Sequence, residues 1–313
     1  MSTMRAVRLH AYGGPQVLTL EEAPLPRPGP GQVLIRVLGA GINPLDWKVR
    51  AGHLQEMLKY PLPLIPGWDL SGKVEEVGQD VTGFKLGDAV YGMLDLSEGG
   101  GYAQYVALKA SSLAPKPSNI DHLQAASAPL ASLTAWQSLF EAADLEAGQT
   151  VLIHAAAGGV GHLAVQLAKW KGARVIGTAS ARNKGFLEDL GADEVIDYRT
   201  ARFEEAVQEV DLVLDTIGGE TQERSWQVLK QGGTLVGTLG IASPDAAQER
   251  GLRGEGVLVH PDGSQLARIT ELIEAGDLMP FVSTVLPLKE AAKAHELSQG
   301  GHVRGKIVLE VGG

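Results

Sequence analysis

Cysteine is absent from this chain of 313 residues. Its absence excludes disulfides, thiolate nucleophiles, iron–sulfur clusters and every zinc site built on cysteine. Positive charge is also scarce. Lys and Arg total 27 against 37 for Asp and Glu, a net charge of −10 at pH 7, which is the wrong sign for displacing counterions from a nucleic-acid backbone. Nucleic acid is not an expected partner. No long apolar run is present either: the least polar stretch, Val151–Ala168, is interrupted by His154, three glycines, His162 and Gln166 and does not read as a membrane span. Residues Met1–Gly13 carry Arg5, Arg8 and His10 with no apolar core, unlike a signal peptide. The expectation is a cytoplasmic protein that does not enter a membrane.

What is present is enough apolar material, 44% of residues, for two globular domains. Glycine is in excess at 40 residues, or about 13% against a usual ~7%. These glycines follow no period, so tight turns explain them better than collagen or a repeat array. Up to about residue 120, short β-branched or aromatic runs alternate with Gly and Pro: Arg5–Leu9, Val17–Glu21, Gln32–Ala40, Leu70–Val77, Ala89–Met93 and Tyr102–Leu108. This pattern predicts an antiparallel barrel or sandwich.

From Thr150 the pattern becomes strand–helix–strand. Strands are expected at Val151–His154, Arg174–Gly177, Glu194–Ile196, Val210–Asp215, Gly233–Thr238 and Gly256–His260. Helices are expected at Gly159–Lys171, Asn183–Leu190, Glu220–Lys230 and Gly263–Ala275. Such alternation predicts a doubly wound, mostly parallel sheet. The tail beyond Leu278 is too short to bury a core alone, so it is expected to rejoin the first half. The expected domains are therefore 1–123 with 278–313, and an inserted 124–277.

The hexapeptide Ala156-Ala157-Gly158-Gly159-Val160-Gly161 follows a predicted strand and opens a predicted helix, which is the context a dinucleotide-binding loop requires. Gly158 and Gly159 let backbone N–H groups approach a pyrophosphate at the helix N-terminus, and Gly161 permits close packing. Ala156 stands where the fingerprint usually has its first glycine. About 20 residues on, an NAD site carries an acid for the ribose 2′-hydroxyl. Here the segment holds Ser180, Arg182 and Lys184, with Tyr198 after the next strand, a donor set suited to the 2′-phosphate of NADP. The plainer alternative is that Arg182 and Lys184 only begin a solvated helix.

Several spaced motifs together resemble the medium-chain dehydrogenase/reductase superfamily, in its zinc-independent quinone oxidoreductase and alkenal/enone reductase branch. They are Pro24–Val37, Gly41–Lys48, Ile65–Gly72, Phe84–Asp88, Leu133-Thr134-Ala135, the glycine loop and Arg304–Val308. The resemblance implies a GroES-like β-barrel catalytic domain with an inserted Rossmann domain, an active site between the two, and commonly a homodimer. Zinc-dependent members have Cys where Asn43 stands and a His–Glu pair where Trp68-Asp69 stands. The eight histidines (10, 53, 122, 154, 162, 260, 295 and 302) show no ligand spacing, so no metal is expected.

A carbonyl that accepts hydride without a Lewis acid must already be electron-poor. The expected activity is therefore NADPH-dependent, metal-free hydride transfer to a quinone or to the C=C bond of an α,β-unsaturated aldehyde or ketone. The alternative is a catalytically quiet NADPH-binding sensor, scaffold or crystallin-like protein on the same fold. The resemblance places Lys48 at the nicotinamide ribose and the substrate oxygen, and Asn43 at the ribose or the substrate carbonyl. The plainer alternative for Lys48 is a solvent-exposed lysine near a strand end; by composition alone Asn43 is equally a turn residue before Pro44, and Asp46 and Arg50 are candidates for a structural pair. The resemblance also assigns cofactor contacts to Thr134, Ile217, Leu239, Gly240, Ile241, His302 and Val303.

Overall fold

The computed structural model describes residues 2–242 and 244–312. The chain divides into two compact units. The first comprises the chain up to Ala131, His260–Gly276 and the chain from Pro280 on, and the second comprises Ser132–Val259 with Asp277–Met279.

The first unit begins with strands β1 (Thr3–Leu9), β2 (Leu18–Pro24) and β3 (Gln32–Gly41), followed by helix α1 (Pro44–Ala51). Strands β4 (Asp69–Val77), β5 (Ala89–Met93), β6 (Tyr105–Lys109) and β7 (Leu113–Pro115) come next, then helix α2 (His122–Ala126) and the start of α3 (Pro129–Trp136), which continues into the second unit from Ser132. The proline-rich segment after Pro24 is irregular, as residues without a backbone N–H require. Helix α1 interrupts what the turn signals suggested was loop. Asn43 is its N-cap, Pro44 its first residue, and the Asp46 side chain reaches back to accept the Asn43 backbone N–H, the N3 half of a capping box, while the Asp46 N–H donates to the Asn43 backbone carbonyl.

The second unit carries β8 (Thr150–Ile153), α4 (Gly161–Trp170), β9 (Arg174–Ala179), α5 (Lys184–Asp189), β10 (Glu194–Asp197) and α6 (Phe203–Ala206). It continues through β11 (Val210–Asp215), α7 (Gly219–Ser225), β12 (Leu229–Gly237), α8 (Pro244–Glu249) and β13 (Arg253–Gly256). All six strands are parallel, in the order β10-β9-β8-β11-β12-β13. This is the Rossmann order, with its switch point between β8 and β11. Val151, Leu152 and Ile153 are all buried, since a central parallel strand is covered on both faces. Leu152, Ile176, Val213 and Leu235 pack with Phe203 and Trp226 in one core.

The chain then returns to the first unit with α9 (Gly263–Ala275), β14 (Val282–Pro287), α10 (Ala291–Gln299) and β15 (Lys306–Glu310). Its main sheet runs β14-β15-β3-β4-β5-β7, with β6 also on β3 and only β14–β15 parallel. The barrel-like half thus recruits its last two strands from the tail.

Three expectations differ from the structure. Helix α9 belongs to the first unit, where the Tyr91 hydroxyl donates to Leu266 O, and the second unit is Ser132–Val259 with Asp277–Met279 where 124–277 was expected. The helix expected to reach Lys230 stops at Ser225, because Leu229 onward joins the sheet. The last parallel strand is Arg253–Gly256 rather than Gly256–His260, and it forms the edge of the six-stranded sheet. Among the described residues no helix is long and apolar enough to cross a membrane.

Candidate active site

In the first unit a polar cluster is buried where β3 runs into α1 and meets β4 and β15. Asn43 is 2% exposed, and Asp46, Asp69, Tyr102, His295 and Lys306 are all buried. The Lys306 ammonium donates to the Asn43 side-chain oxygen and, at 3.2 Å, to Asp69 Oδ2. Asn43 Nδ2 donates to that same Asp69 oxygen at 2.9 Å, while Asp69 Oδ1 accepts the Leu130 N–H at 2.6 Å. Asp69 is therefore fully engaged, by a cation, an amide and a helix terminus.

Asp46 lies one helical turn on. Its Oδ2 accepts the Asn43 N–H at 2.9 Å and the Tyr102 hydroxyl at 2.5 Å. Its Oδ1 has no partner among the described residues. Burial pushes this carboxyl up to about 7, against the pull of the Tyr102 and Asn43 hydrogen bonds and the Lys306 charge. Tyr102 OH also lies 3.2 Å from His295 Nε2. Because the hydroxyl hydrogen is committed to Asp46, His295 donates through Nε2, and its unpartnered Nδ1 is the bare nitrogen. Burial depresses the His295 imidazole to about 3, and the Arg50 charge adds to this. Tyr102 reaches Asp46 past Gly67, whose φ is +94° and where a Cβ would sit 2.3 Å from the Tyr102 ring. Asp46 and Arg50 do not pair: Arg50 donates instead to Gln299 Oε1 at 3.0 Å.

Lys48 shares α1 with this cluster but is only half-buried. Its ammonium lies 5.9 Å from the Trp47 ring centroid, and desolvation lowers its pKa. Val303 packs against the apolar core of the first unit, while His302 is exposed.

The donor set does not suit zinc. Asn43 and Asp69 already serve the Lys306 ammonium, the neighbouring position is the buried indole of Trp68, and no group of three or more His, Asp or Glu able to hold a metal exists among the described residues.

The second unit holds the residues expected to bind a dinucleotide. The loop after β8 turns through Ala155 (φ +49°) and enters α4 at Gly161. A Cβ on Gly161 would lie 2.4 Å from Ala155 O and 2.7 Å from Ala156 Cα, so only glycine lets the helix start this close to the loop. Ala156, in the place of the first fingerprint glycine, is accommodated by Gly177 on β9, where an added Cβ would come within 2.9 Å of the Ala156 methyl. His162, one residue into α4, ties back to Gly158 O at 2.8 Å. The glycine turn leaves room for a pyrophosphate beside the start of α4, although the His162 and Leu163 N–H groups already donate to Gly158 O and Val160 O.

Beyond β9, Ser180 is buried, and it accepts from Asn183 Nδ2 at 3.3 Å. Arg182 and Lys184 are exposed on the next turn, Lys184 beside Glu188 at 3.8 Å. Tyr198 joins them because its N–H donates to Ala179 O, and it is 52% exposed, with the Arg199 guanidinium 5.9 Å from its ring centroid. Arg199 was not among the expected residues. Asp197, the acid at the end of β10, is turned to its own loop, accepting the Arg199 N–H at 3.0 Å.

Two further loops leave the carboxyl ends of β11 and β12. Asp215 accepts the N–H groups of Ile217 and Gly218, and buried Gln222 donates to Asp215 Oδ2 at 3.0 Å and Gly240 O at 2.9 Å while accepting the Ala242 N–H. These bonds hold both loops with Ile217 47% and Leu239 55% exposed. Gly240 and Ile241 lie in the second loop, and Ile241 packs partly into the core. Thr134 is buried on α3. Buried His154 bridges Thr178 and Ser225 at 3.1 and 2.9 Å just before the glycine loop. Gln222 belongs to no spaced motif and was not among the expected residues, while His154 was read only as one of eight histidines without ligand spacing.

Residues 29–118 match the family model described as an alcohol dehydrogenase GroES-like domain, and residues 190–309 match that of a zinc-binding dehydrogenase. The chain is 33% identical to quinone-oxidoreductase QR1 of Triphysaria versicolor, over 98% of both chains. It is 36% identical to an NADPH-dependent alkenal/one oxidoreductase of Arabidopsis thaliana, over 98% of this chain and 79% of that one. The solved structure of a quinone oxidoreductase from Coxiella burnetii superposes with a TM-score of 0.94 at 40% identity, covering 99% of this chain and 100% of that one. The two family domains, the Rossmann strand order and these full-length likenesses agree, and the chain belongs to the medium-chain dehydrogenase/reductase superfamily of oxidoreductases, in its quinone oxidoreductase and alkenal/enone reductase branch.

Proposed function

We propose that this chain is an NADPH-dependent, metal-free reductase acting on quinones or on the C=C bond of α,β-unsaturated aldehydes and ketones. The observation that carries the cofactor choice is the cluster of Ser180, Arg182, Lys184 and Tyr198, joined by Arg199, at the ends of β9 and β10. These groups are donors for a 2′-phosphate, and of the nearby acids Asp197 accepts the Arg199 N–H of its own loop and Glu188 lies beside Lys184. The Gly158–Gly161 turn takes the pyrophosphate, and the clamped loops at Ile217 and Leu239–Ile241 offer apolar surface to the nicotinamide half. When bound, the cofactor supplies a hydride.

The acceptor side follows from the first unit. With the metal-ligand positions given over to Lys306, no Lewis acid polarises a carbonyl, so acceptors whose conjugation already spreads the arriving charge are favoured. Lys48, half-desolvated and shifted toward easier proton loss, donates to the oxygen that gains charge. Asn43 contributes a hydrogen bond beside it. A homodimer through the open edge of β13 forms part of this reading.

The cofactor assignment is tested by binding. The wild type should hold NADPH at least about tenfold more tightly than NADH, and the Arg182→Ala/Lys184→Ala double variant should bring the two within about twofold. Equal affinity of the wild type for both would remove the 2′-phosphate assignment.

A further inference from the structure

We infer that Lys306 is a positioning residue that fixes the direction of the Asn43 carboxamide, leaving Asn43 able to act on a ligand only as a hydrogen-bond donor. The inference rests on the proposed reductase reading, in which Asn43 meets cofactor or substrate.

A carboxamide can turn over at little steric cost, so its orientation is decided by the groups around it. Here both neighbours are single-minded. The Lys306 ammonium has only hydrogens to give, and it faces the Asn43 oxygen. The Asp69 carboxylate can only accept, and its Oδ2 takes an Asn43 N–H at 2.9 Å. Turned over, Asn43 would aim its NH2 at the ammonium and its oxygen at the carboxylate, and both contacts would become repulsive. Asp69 cannot rotate away, since its other oxygen holds the Leu130 N–H at the start of α3. Asn43 cannot shift along the chain, since its backbone N–H is bonded to Asp46 in the α1 capping box.

Of the Asn43 side chain's hydrogen-bonding capacity, the oxygen faces inward on Lys306 and one amide hydrogen is on Asp69. The second amide hydrogen has no partner among the described residues. A residue only 2% exposed thus offers a single point of contact, an N–H. Such a donor suits an oxygen that gains negative charge as hydride arrives. The β3–α1 corner, the first residue of β4 and the first residue of β15 converge to produce it. Lys306 acts only through Asn43.

The test is a mutant cycle on the full-length enzyme, reading kcat and the KM values for NADPH and an enone. Lys306→Met leaves Asp69 buried without a counter-ion and can fail to fold, so the informative variant is Asp69→Asn/Lys306→Met, which removes both charges together. In it the carboxamide is free to point either way. We expect kcat to fall about tenfold with the KM for NADPH within about twofold of wild type, the pattern of an interaction made in the transition state. In an Asn43→Ala background the same pair of substitutions should cost no further kcat, because the group they position is gone. A purely structural role for Lys306 would lower the melting temperature and leave kcat per folded enzyme unchanged, and that result overturns the inference. Losses that multiply in the Asn43→Ala background overturn it too, as does an Asn43→Ala enzyme with wild-type kcat. A wild type that turns over no acceptor removes the reductase reading itself, and the inference with it.

Discussion

Asp46 has burial as its dominant surrounding, and burial disfavours its charge. Its pKa near 7 in the fold, against an ordinary 3.8, means that the native state holds a proton the unfolded chain has released between those two values. The contribution is therefore fully present below about pH 4 and is lost as pH rises through 7. Three histidines pull the other way. His122 and His154 are depressed to about 4 and His295 to about 3, all chiefly by burial, so the unfolded chain gains protons first as pH falls below 6.5. The wild type should lose stability on acidification from pH 6.5 to 4. Asp46→Asn removes only the carboxyl's share. Relative to wild type, its unfolding free energy should rise with pH by up to about 1.4 kcal/mol per unit between pH 4 and 7, then level off. Urea unfolding of both proteins across that range measures this, and a difference that stays flat with pH contradicts it.

Helix α1 is the element on which the first-unit site turns. Its N-cap is Asn43, its first turn carries Asp46 inward, and Lys48, two positions later, points away from the same cluster and stays half-buried. The capping box fixes where the helix begins, and that beginning fixes which side chain faces where. Lys48→Ala removes a donor but no buried contact of the Asn43–Asp46–Asp69–Lys306 cluster. We expect turnover with an enone to drop about 100-fold, the usual scale for one positioned acid or base, while the melting temperature stays within about 2 °C of wild type. Steady-state kinetics with a thermal melt of the same preparation checks both halves. Unchanged turnover would take Lys48 out of the mechanism.

At the scale of the whole molecule, the α/β half was legible because its signals are local: buried apolar strands of four to six residues and a glycine loop between strand and helix. Val210–Asp215 and Gly263–Ala275 fall where periodicity puts them. What was not legible depends on partners far apart in the chain. Lys306 meets Asn43 across 263 positions, and His295 meets Tyr102 across 193; no spacing rule connects them. Asp46 and Arg50 were candidates for a pair, but the fold sends Asp46 to Tyr102 and Arg50 to Gln299, partners 56 and 249 positions away. Helix α1 was not among the expected elements, although Asn43 before Pro44 with Asp46 three residues after the cap is a helix-start signal. The domain limits shifted for a related reason: α9 has a helical pattern like those of the second unit, and only its packing on Tyr91 assigns it to the first.

The proposed reaction is hydride transfer from NADPH to an activated acceptor without a metal. Its most direct test is the rate of NADPH oxidation by the chelator-treated, metal-assayed full-length protein, with a panel of quinones, enones and enals and with NADH as the control cofactor. Turnover of at least one conjugated acceptor is expected, undiminished by the chelator and not raised by added zinc, with NADPH strongly preferred over NADH. Tight NADPH binding with no turnover of any acceptor, or activity that disappears with the chelator and returns with zinc, would contradict it.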